Sequence, residues 1–271
     1  MTVDRTRRDV YVIPGFMETS VASLFTERGF SLKSNPDDAN ILVWTGGADI
    51  SPDLYNDPRH PMTSFSNGRD KREVELYRNF AGPDYFKIGI CRGHQLLAAM
   101  NNGKLFQHVN NHGRPHDAFY RAEDGTVTIH TVSSAHHQMM DLYRSDGPFE
   151  VWLSSNEASR REVYAPDLVQ VGYDDPEAVF WPRSMSVGFQ GHPEFGPQEC
   201  TDLFFKIVDR AYARYEHAGR PKLQPTRKAS IFAPPVPDLE FTPAPDWGVG
   251  DNLDWDAVAQ SLVFREEEGE Q

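Results

Sequence analysis

The chain has 271 residues, with 27 basic against 40 acidic side chains, a formal net charge of −13 and 39% hydrophobic residues. That is enough chain to bury the core of one large α/β domain and too apolar for global disorder. It is also too acidic for sequence-independent nucleic-acid binding or for docking on an anionic membrane. No apolar run approaches membrane-spanning length, and residues 1–9 lack the apolar region of a secretory signal. The two cysteines, Cys91 and Cys200, exclude a disulfide scaffold and fit a reducing, cytoplasmic interior.

In chain order, Val10–Ile13 predicts a buried strand stopped by Pro14-Gly15, and Thr19–Arg28 a helix closed by Gly29. Ile41–Trp44 is a second strand that runs into the turn Thr45-Gly46-Gly47-Ala48-Asp49. A helix is expected over Asp70–Phe80, then a strand over Phe86–Ile90 ending on Cys91, then a helix over Arg92–Met100 capped by Asn101-Asn102-Gly103. Strands alternating with helices imply βαβ units and a mostly parallel sheet. The middle differs. Val127–Val132, Phe149–Leu153, Leu168–Gly172, Ala178–Trp181 and Met185–Gln190 follow one another with only turns between, which predicts antiparallel strands added at the sheet edge. A last helix over Gln198–His217 carries an apolar stripe of Leu203, Phe204, Ile207, Val208, Ala211, Tyr212 and Tyr215.

Composition then changes. Residues 219–271 hold seven of the 20 prolines and a surplus of acidic residues, with Phe232, Phe241, Trp247, Trp255 and Phe264 as aromatic anchors. The expected organisation is a catalytic domain over 1–218 and a Pro-rich acidic extension over 219–271. Two readings are open for such an extension: docking on its own domain, on a second copy or on another protein, or partial disorder.

The strongest local signal is Lys87-Ile88-Gly89-Ile90-Cys91-Arg92-Gly93-His94-Gln95. A strand ends on a cysteine and a helix starts at once, with glycine two before and two after, which is the thiol form of a nucleophile elbow. Unsatisfied N–H groups and the helix dipole favour the thiolate there, and the Arg92 N–H is placed to donate into an oxyanion hole. The second signal is Gln190-Gly191-His192-Pro193-Glu194. Extended residues i and i+2 project to one side, so Glu194 can orient His192 as the base for Cys91.

With both segments in place the chain resembles the class I glutamine amidotransferase superfamily, through its Gly-x-Cys-x-Gly-x-Gln elbow and His-x-Glu pair. The stretches Trp44 to Tyr55 and Val132 to Gln138, with Arg69-Asp70-Lys71-Arg72-Glu73, resemble the branch of γ-glutamyl-amide peptidases that includes γ-glutamyl-γ-aminobutyrate hydrolase. The resemblance covers residues 9–217. It implies a flavodoxin-like three-layer sandwich, with a mostly parallel central sheet and added antiparallel strands. It further implies hydrolysis of a γ-glutamyl amide through a glutamyl thioester, with Cys91 as nucleophile, His192 as base and then acid, and Glu194 as its orienter. Gly47, with Gly46, would supply the second oxyanion N–H. Gln95 would touch the substrate head, and Ser134, Ala135 and His136 would line its other side through backbone groups.

Three departures bear on pocket shape: Gly191 replaces an aromatic residue, Ser133 an asparagine, and Trp44-Thr45 a Leu-Pro pair. The leaving amine stays open. Ammonia would make the chain a glutaminase subunit for a separate synthetase, a larger amine a free-standing peptidase, and a silent relative would serve as a binding subunit. No cofactor or metal is expected. His108, His112 and His116 have the four-residue spacing of ligands on a helix, but Gly113 and Pro115 break that helix. The expectation is a loop of hydrogen-bonding histidines.

Overall fold

The computed structural model describes residues 4–155, 161–162, 168–169 and 175–218. The extension 219–271 lies outside these residues, as do positions 170–172 of the strand expected over Leu168–Gly172. The chain runs β1 (Asp9–Val12), α1 (Glu18–Glu27), β2 (Ser31–Leu32), β3 (Ile41–Trp44), α2 (Asn67–Asn79), β4 (Phe86–Ile90) and α3 (Arg92–Met100). It continues through β5 (Lys104–Phe106), β6 (His108–Val109), β7 (His116–Arg121), β8 (Val127–Val132), β9 (Met139–Asp141) and β10 (Glu150–Ser155). Then come β11 (Arg161–Glu162), β12 (Leu168–Val169), β13 (Asp175–Trp181), β14 (Ser186–Phe189) and α4 (Gln198–His217).

Nine strands form one sheet in the order β2-β1-β3-β4-β14-β13-β10-β7-β8. The pairs from β2 to β14 are parallel, and those from β14 to β8 are antiparallel. This is the flavodoxin-like sandwich with an antiparallel extension.

β3 is apolar throughout because both of its faces are covered. Ile41 and Val43 pack in one core with Val21 and Phe25 of α1 and Phe204, Ile207 and Val208 of α4. Leu42 and Trp44 pack in a second core with Val74 and Tyr77 of α2 and Leu96 and Leu97 of α3. The alternation follows from the two-residue period of a strand, and two helices therefore cover each face. Each fully buried phenylalanine, such as Phe25, Phe86 or Phe204, contributes about 1.5–3 kcal/mol relative to an exposed one. The stripe expected on α4 is buried along its whole length.

The topology aligns three strand ends. β3, β4 and β14 are adjacent and parallel, with Trp44 level with Gly89 and Phe189 level with Ile90. The turn after β3, the elbow after β4 and the segment after β14 therefore emerge at the same edge, where α/β sheets place their ligand sites.

Candidate active site

Cys91 joins β4 to α3 with φ 50° and ψ −107°, a conformation that residues with a Cβ rarely adopt. Its N–H is held by the Phe189 carbonyl at 2.8 Å, so β14 fixes the elbow directly. Gly93 is required by close approach: a Cβ there would overlap the Trp44 carbonyl.

His192 reaches this edge from β14. Ser133 pins its backbone on both sides, accepting from the His192 N–H at 2.9 Å and donating to its carbonyl at 2.5 Å. The backbone of the same segment leaves no room for a side chain at residue 191. A Cβ on Gly191 would lie 2.7 Å from the Ser133 carbonyl and 2.9 Å from the Phe189 ring, so the aromatic residue of relatives does not fit here.

The His192 Nδ1–H donates to Glu194 Oε1 at 2.7 Å, which leaves Nε2 for the hydrogen bond with the Cys91 thiol. Burial works against a charged imidazole, but the Cys91 sulfur and the Glu194 carboxylate outweigh it and lift the pKa of His192 to about 10. The imidazolium is therefore the favoured state of His192. Phe195 stacks on the His192 ring at 4.5 Å between centroids, and Phe16 meets it edge-on at 6.0 Å.

The structure brings together most of the residues expected in the site. Gly46 borders the catalytic edge, since a Cβ on it would lie 2.9 Å from His192 Cε1, and Gly47 follows it at φ 130°. Arg92 contributes its N–H at the helix start, while its side chain turns inward, 1% exposed, to pair with Asp70 and Glu73 of α2. Arg69 pairs with Glu73 at 2.6 Å and donates to the Thr45 carbonyl at 3.2 Å, and the Ser51 N–H bonds Asp70 at 2.9 Å. This buried network ties the elbow to the Gly46-Gly47 turn. Gln95 donates to the Gln138 carbonyl at 3.2 Å. Ser134 donates to the His112 carbonyl at 2.6 Å, beside half-buried Ala135, and His136 also bonds that carbonyl through its N–H. These bonds hold residues 133–138 against α3 and the segment before β7.

One group separates as spacing did not foresee. His108 lies in β6 against His60 and His137. His112 and His116 instead converge with His136 on Glu177 of β13, in the interior. Among the described residues, His112, His136 and Glu177 form a set whose ligand atoms lie close enough to hold a cation, all within 4.8 Å of one another. The missed signal is the pair Asp175 and Glu177, two fully buried carboxylates at i and i+2 in an otherwise apolar strand.

The model of the peptidase C26 family matches residues 24–164, just over half of the chain. The chain belongs to the peptidase C26 family. The match includes Cys91 and stops before His192 and Glu194. A glutamine amidotransferase candidate of Mycobacterium tuberculosis is 37% identical over 101 residues, covering 36% of this chain and 32% of that protein. Protein NtpR of Enterococcus hirae is 38% identical over 72 residues, covering 26% and 30%. The aligned stretches span about a third of these curated relatives. A candidate GMP synthase component from Thermoplasma acidophilum shares the fold, with a TM-score of 0.52 and 17% identity over 78% of this chain and 96% of that one. The relatives are of the glutamine amidotransferase type over the aligned stretches, and the Thermoplasma structure, at 17% identity, shows the fold alone.

Proposed function

We propose that this peptidase C26 member hydrolyses a γ-glutamyl amide bond through a glutamyl thioester, with Cys91, His192 and Glu194 as its catalytic residues. The observation that carries this reading is the Cys91 elbow facing an imidazole that Glu194 holds at 2.7 Å. The Cys91 thiolate attacks the amide carbon, forming a C–S bond and an oxyanion. The N–H groups of Gly47 and Arg92 receive that oxyanion, each worth about 3 kcal/mol where such donors have been removed. His192 gives its proton to the departing nitrogen as the C–N bond breaks. Water, deprotonated by His192, then attacks the thioester, and the C–S bond breaks to release glutamate and the thiolate.

The leaving amine departs on the His192 side, where Phe195 and Phe16 form an apolar wall. That wall supports an uncharged, carbon-bearing amine over ammonia, and so a free-standing peptidase over a glutaminase subunit. The catalytic unit in this reading is residues 1–218, working in the cytoplasm, with 219–271 docking on a second copy or a partner. The test is turnover by the full chain of glutamine against γ-glutamyl-alkylamines, with Cys91 labelling by a glutamine-like diazo-ketone alongside. Labelling at Cys91 with preferred turnover of the alkylamide supports the reading. A chain that neither labels nor turns over either substrate is a silent relative.

A further inference from the structure

Three buried imidazoles surround Glu177. His112 Nδ1, His116 Nε2 and His136 Nε2 lie 3.1, 3.2 and 3.7 Å from Glu177 Oε1. All four side chains are at most 1% exposed.

The far nitrogen of each ring fixes its tautomer. His136 Nδ1 lies 3.0 Å from the Gln138 carbonyl and His116 Nδ1 3.2 Å from the Arg114 carbonyl. A carbonyl only accepts, so both nitrogens carry protons. His112 Nε2 lies 2.7 Å from Asp175 Oδ2, a carboxylate that also pairs with Arg161, so this nitrogen donates as well. In the neutral rings the inward nitrogens are therefore lone pairs, and all three face a carboxylate oxygen. Acceptors do not converge in a dry interior without a cation among them. The inward nitrogens of His112 and His136 have only Glu177 to face, and its second oxygen, Oε2, has no hydrogen-bond partner. Protons are the competing occupants. Against the cost of burial, Asp175 and Glu177 favour the charged form of His112, and Glu177 that of His116. Burial instead holds His136 low, so that its Nε2 faces Glu177 as a lone pair.

Imidazoles whose outer N–H groups bond carbonyls or a carboxylate, and whose inner lone pairs converge, have the outer-shell pattern of metal ligands. The distances suit that role. Zinc bonds of about 2.0–2.1 Å give a tetrahedron with edges of about 3.3 Å. His112 Nδ1 and His136 Nε2 lie 3.1 and 3.7 Å from Glu177 Oε1, and the three ligand atoms lie within 4.8 Å of one another. A nitrogen-rich set disfavours magnesium and calcium, which take oxygen ligands.

We infer that His112, His136 and Glu177 form a structural site for a zinc-type divalent cation, with His116 bonded to Glu177 beside it, separate from Cys91, His192 and Glu194. The cation would staple the segment before β7 and residues 133–136 to β13. It would thereby steady Ser133, which pins His192. This inference does not rest on the γ-glutamyl reading, since a silent relative could hold the same ion.

The test is zinc content and zinc affinity of the full chain, measured after chelator stripping by competition with a chromophoric chelator. One zinc per chain is expected. Glu177→Gln and His136→Ala should bind at least tenfold more weakly, whereas His108→Ala and Cys91→Ala should keep full stoichiometry. Cobalt loading of the unmutated chain avoids any folding defect of the variants. It should give the intense visible bands of tetrahedral Co²⁺ without a thiolate charge-transfer band. Absence of stoichiometric metal, an octahedral cobalt spectrum, or binding lost in Cys91→Ala would each overturn the inference. The first two would leave a proton-filled network, and the third would put the ion on the catalytic thiol.

Discussion

Glu194 Oε1 holds His192 Nδ1 at 2.7 Å across the single residue Pro193, while its other oxygen is buried without a partner. The chain is not extended here as the sequence implies: residues 193–195 form a turn, closed by the Gly196 N–H on the His192 carbonyl at 3.1 Å, and the turn carries the Glu194 carboxylate back to the ring. The pair is thus rigid before any substrate arrives, and only the Cys91 sulfur has to be aligned with it. This predicts a graded loss of turnover. Cys91→Ala should abolish hydrolysis with the fold intact. His192→Ala should lose at least the factor of about 10²–10⁴ that general acid–base catalysis contributes. Glu194→Gln should lose less, since an amide fixes the ring but does not stabilise the imidazolium. Steady-state kinetics of the three variants give the ranking, and residual hydrolysis in Cys91→Ala would place the nucleophile elsewhere.

The raised pKa of His192, about 10, sets a pH prediction. Acylation requires the imidazolium to protonate the leaving amine, so the rate should hold through neutral pH and fall as pH rises through that pKa. Glu194→Gln removes a negative charge that favours the imidazolium and should move this basic limb to lower pH. Single-turnover rates across the alkaline range measure the shift; an unmoved limb would assign it to another group.

Arg92 makes a stability prediction distinct from its backbone role. Its guanidinium is buried between Asp70 and Glu73. Removing one member of such a set leaves uncompensated buried charge, at a cost of about 3–5 kcal/mol. Arg92→Met should lower the denaturant midpoint by a corresponding amount, whereas Arg92→Lys should recover part of it. Equal midpoints for wild type and Arg92→Met would show that the network contributes nothing.

The elbow was legible because strand, turn and helix are contiguous there, and Phe86–Ile90 and Arg92–Met100 have the bounds that the sequence implies. Contiguity likewise exposed His192 and Glu194, two residues apart, although a turn over residues 193–195 and not extended chain brings them together. The histidine cluster was not legible for the opposite reason. Residues 112 and 116 meet 136 and 177 only because β7 pairs with β10 and β10 with β13. A four-residue spacing read as a helix face cannot encode that meeting, and it wrongly groups His108 with the others. β5, β6 and β9 have two or three residues each, too few for alternation to register. The wall beside His192 was hidden similarly, since Phe16 lies far along the chain from Phe195 and the two approach only through the sheet.

The extension 219–271 is predicted to be dispensable for chemistry. It carries five basic and ten acidic side chains together with its five large aromatics, a composition suited to docking rather than to forming a core. Deleting it should leave Cys91 reactive toward a glutamine analogue while changing oligomeric state or partner capture. Chromatographic size and labelling rate test both halves, and loss of labelling would make the extension part of the site.

The last prediction concerns the leaving amine. Phe195 stacks on His192 at 4.5 Å and Phe16 stands edge-on to both rings, at 6.0 Å from His192 and 6.5 Å from Phe195. An alkyl group on the departing nitrogen would meet these rings, whereas ammonia would leave them in contact with water. Burying each methylene against them is worth about 0.8 kcal/mol, or roughly fourfold in kcat/KM. Phe16→Ala should therefore reduce kcat/KM for a γ-glutamyl-butylamide much more than for glutamine, without slowing labelling of Cys91 by a small thiol reagent. Phe16 is the better choice for this test than Phe195, whose stacking also steadies the His192 ring. If Phe16→Ala lowers both substrates equally, the ring acts on the catalytic residues and not on the amine. The preference for a carbon-bearing leaving group would then have to come from some other part of the rim.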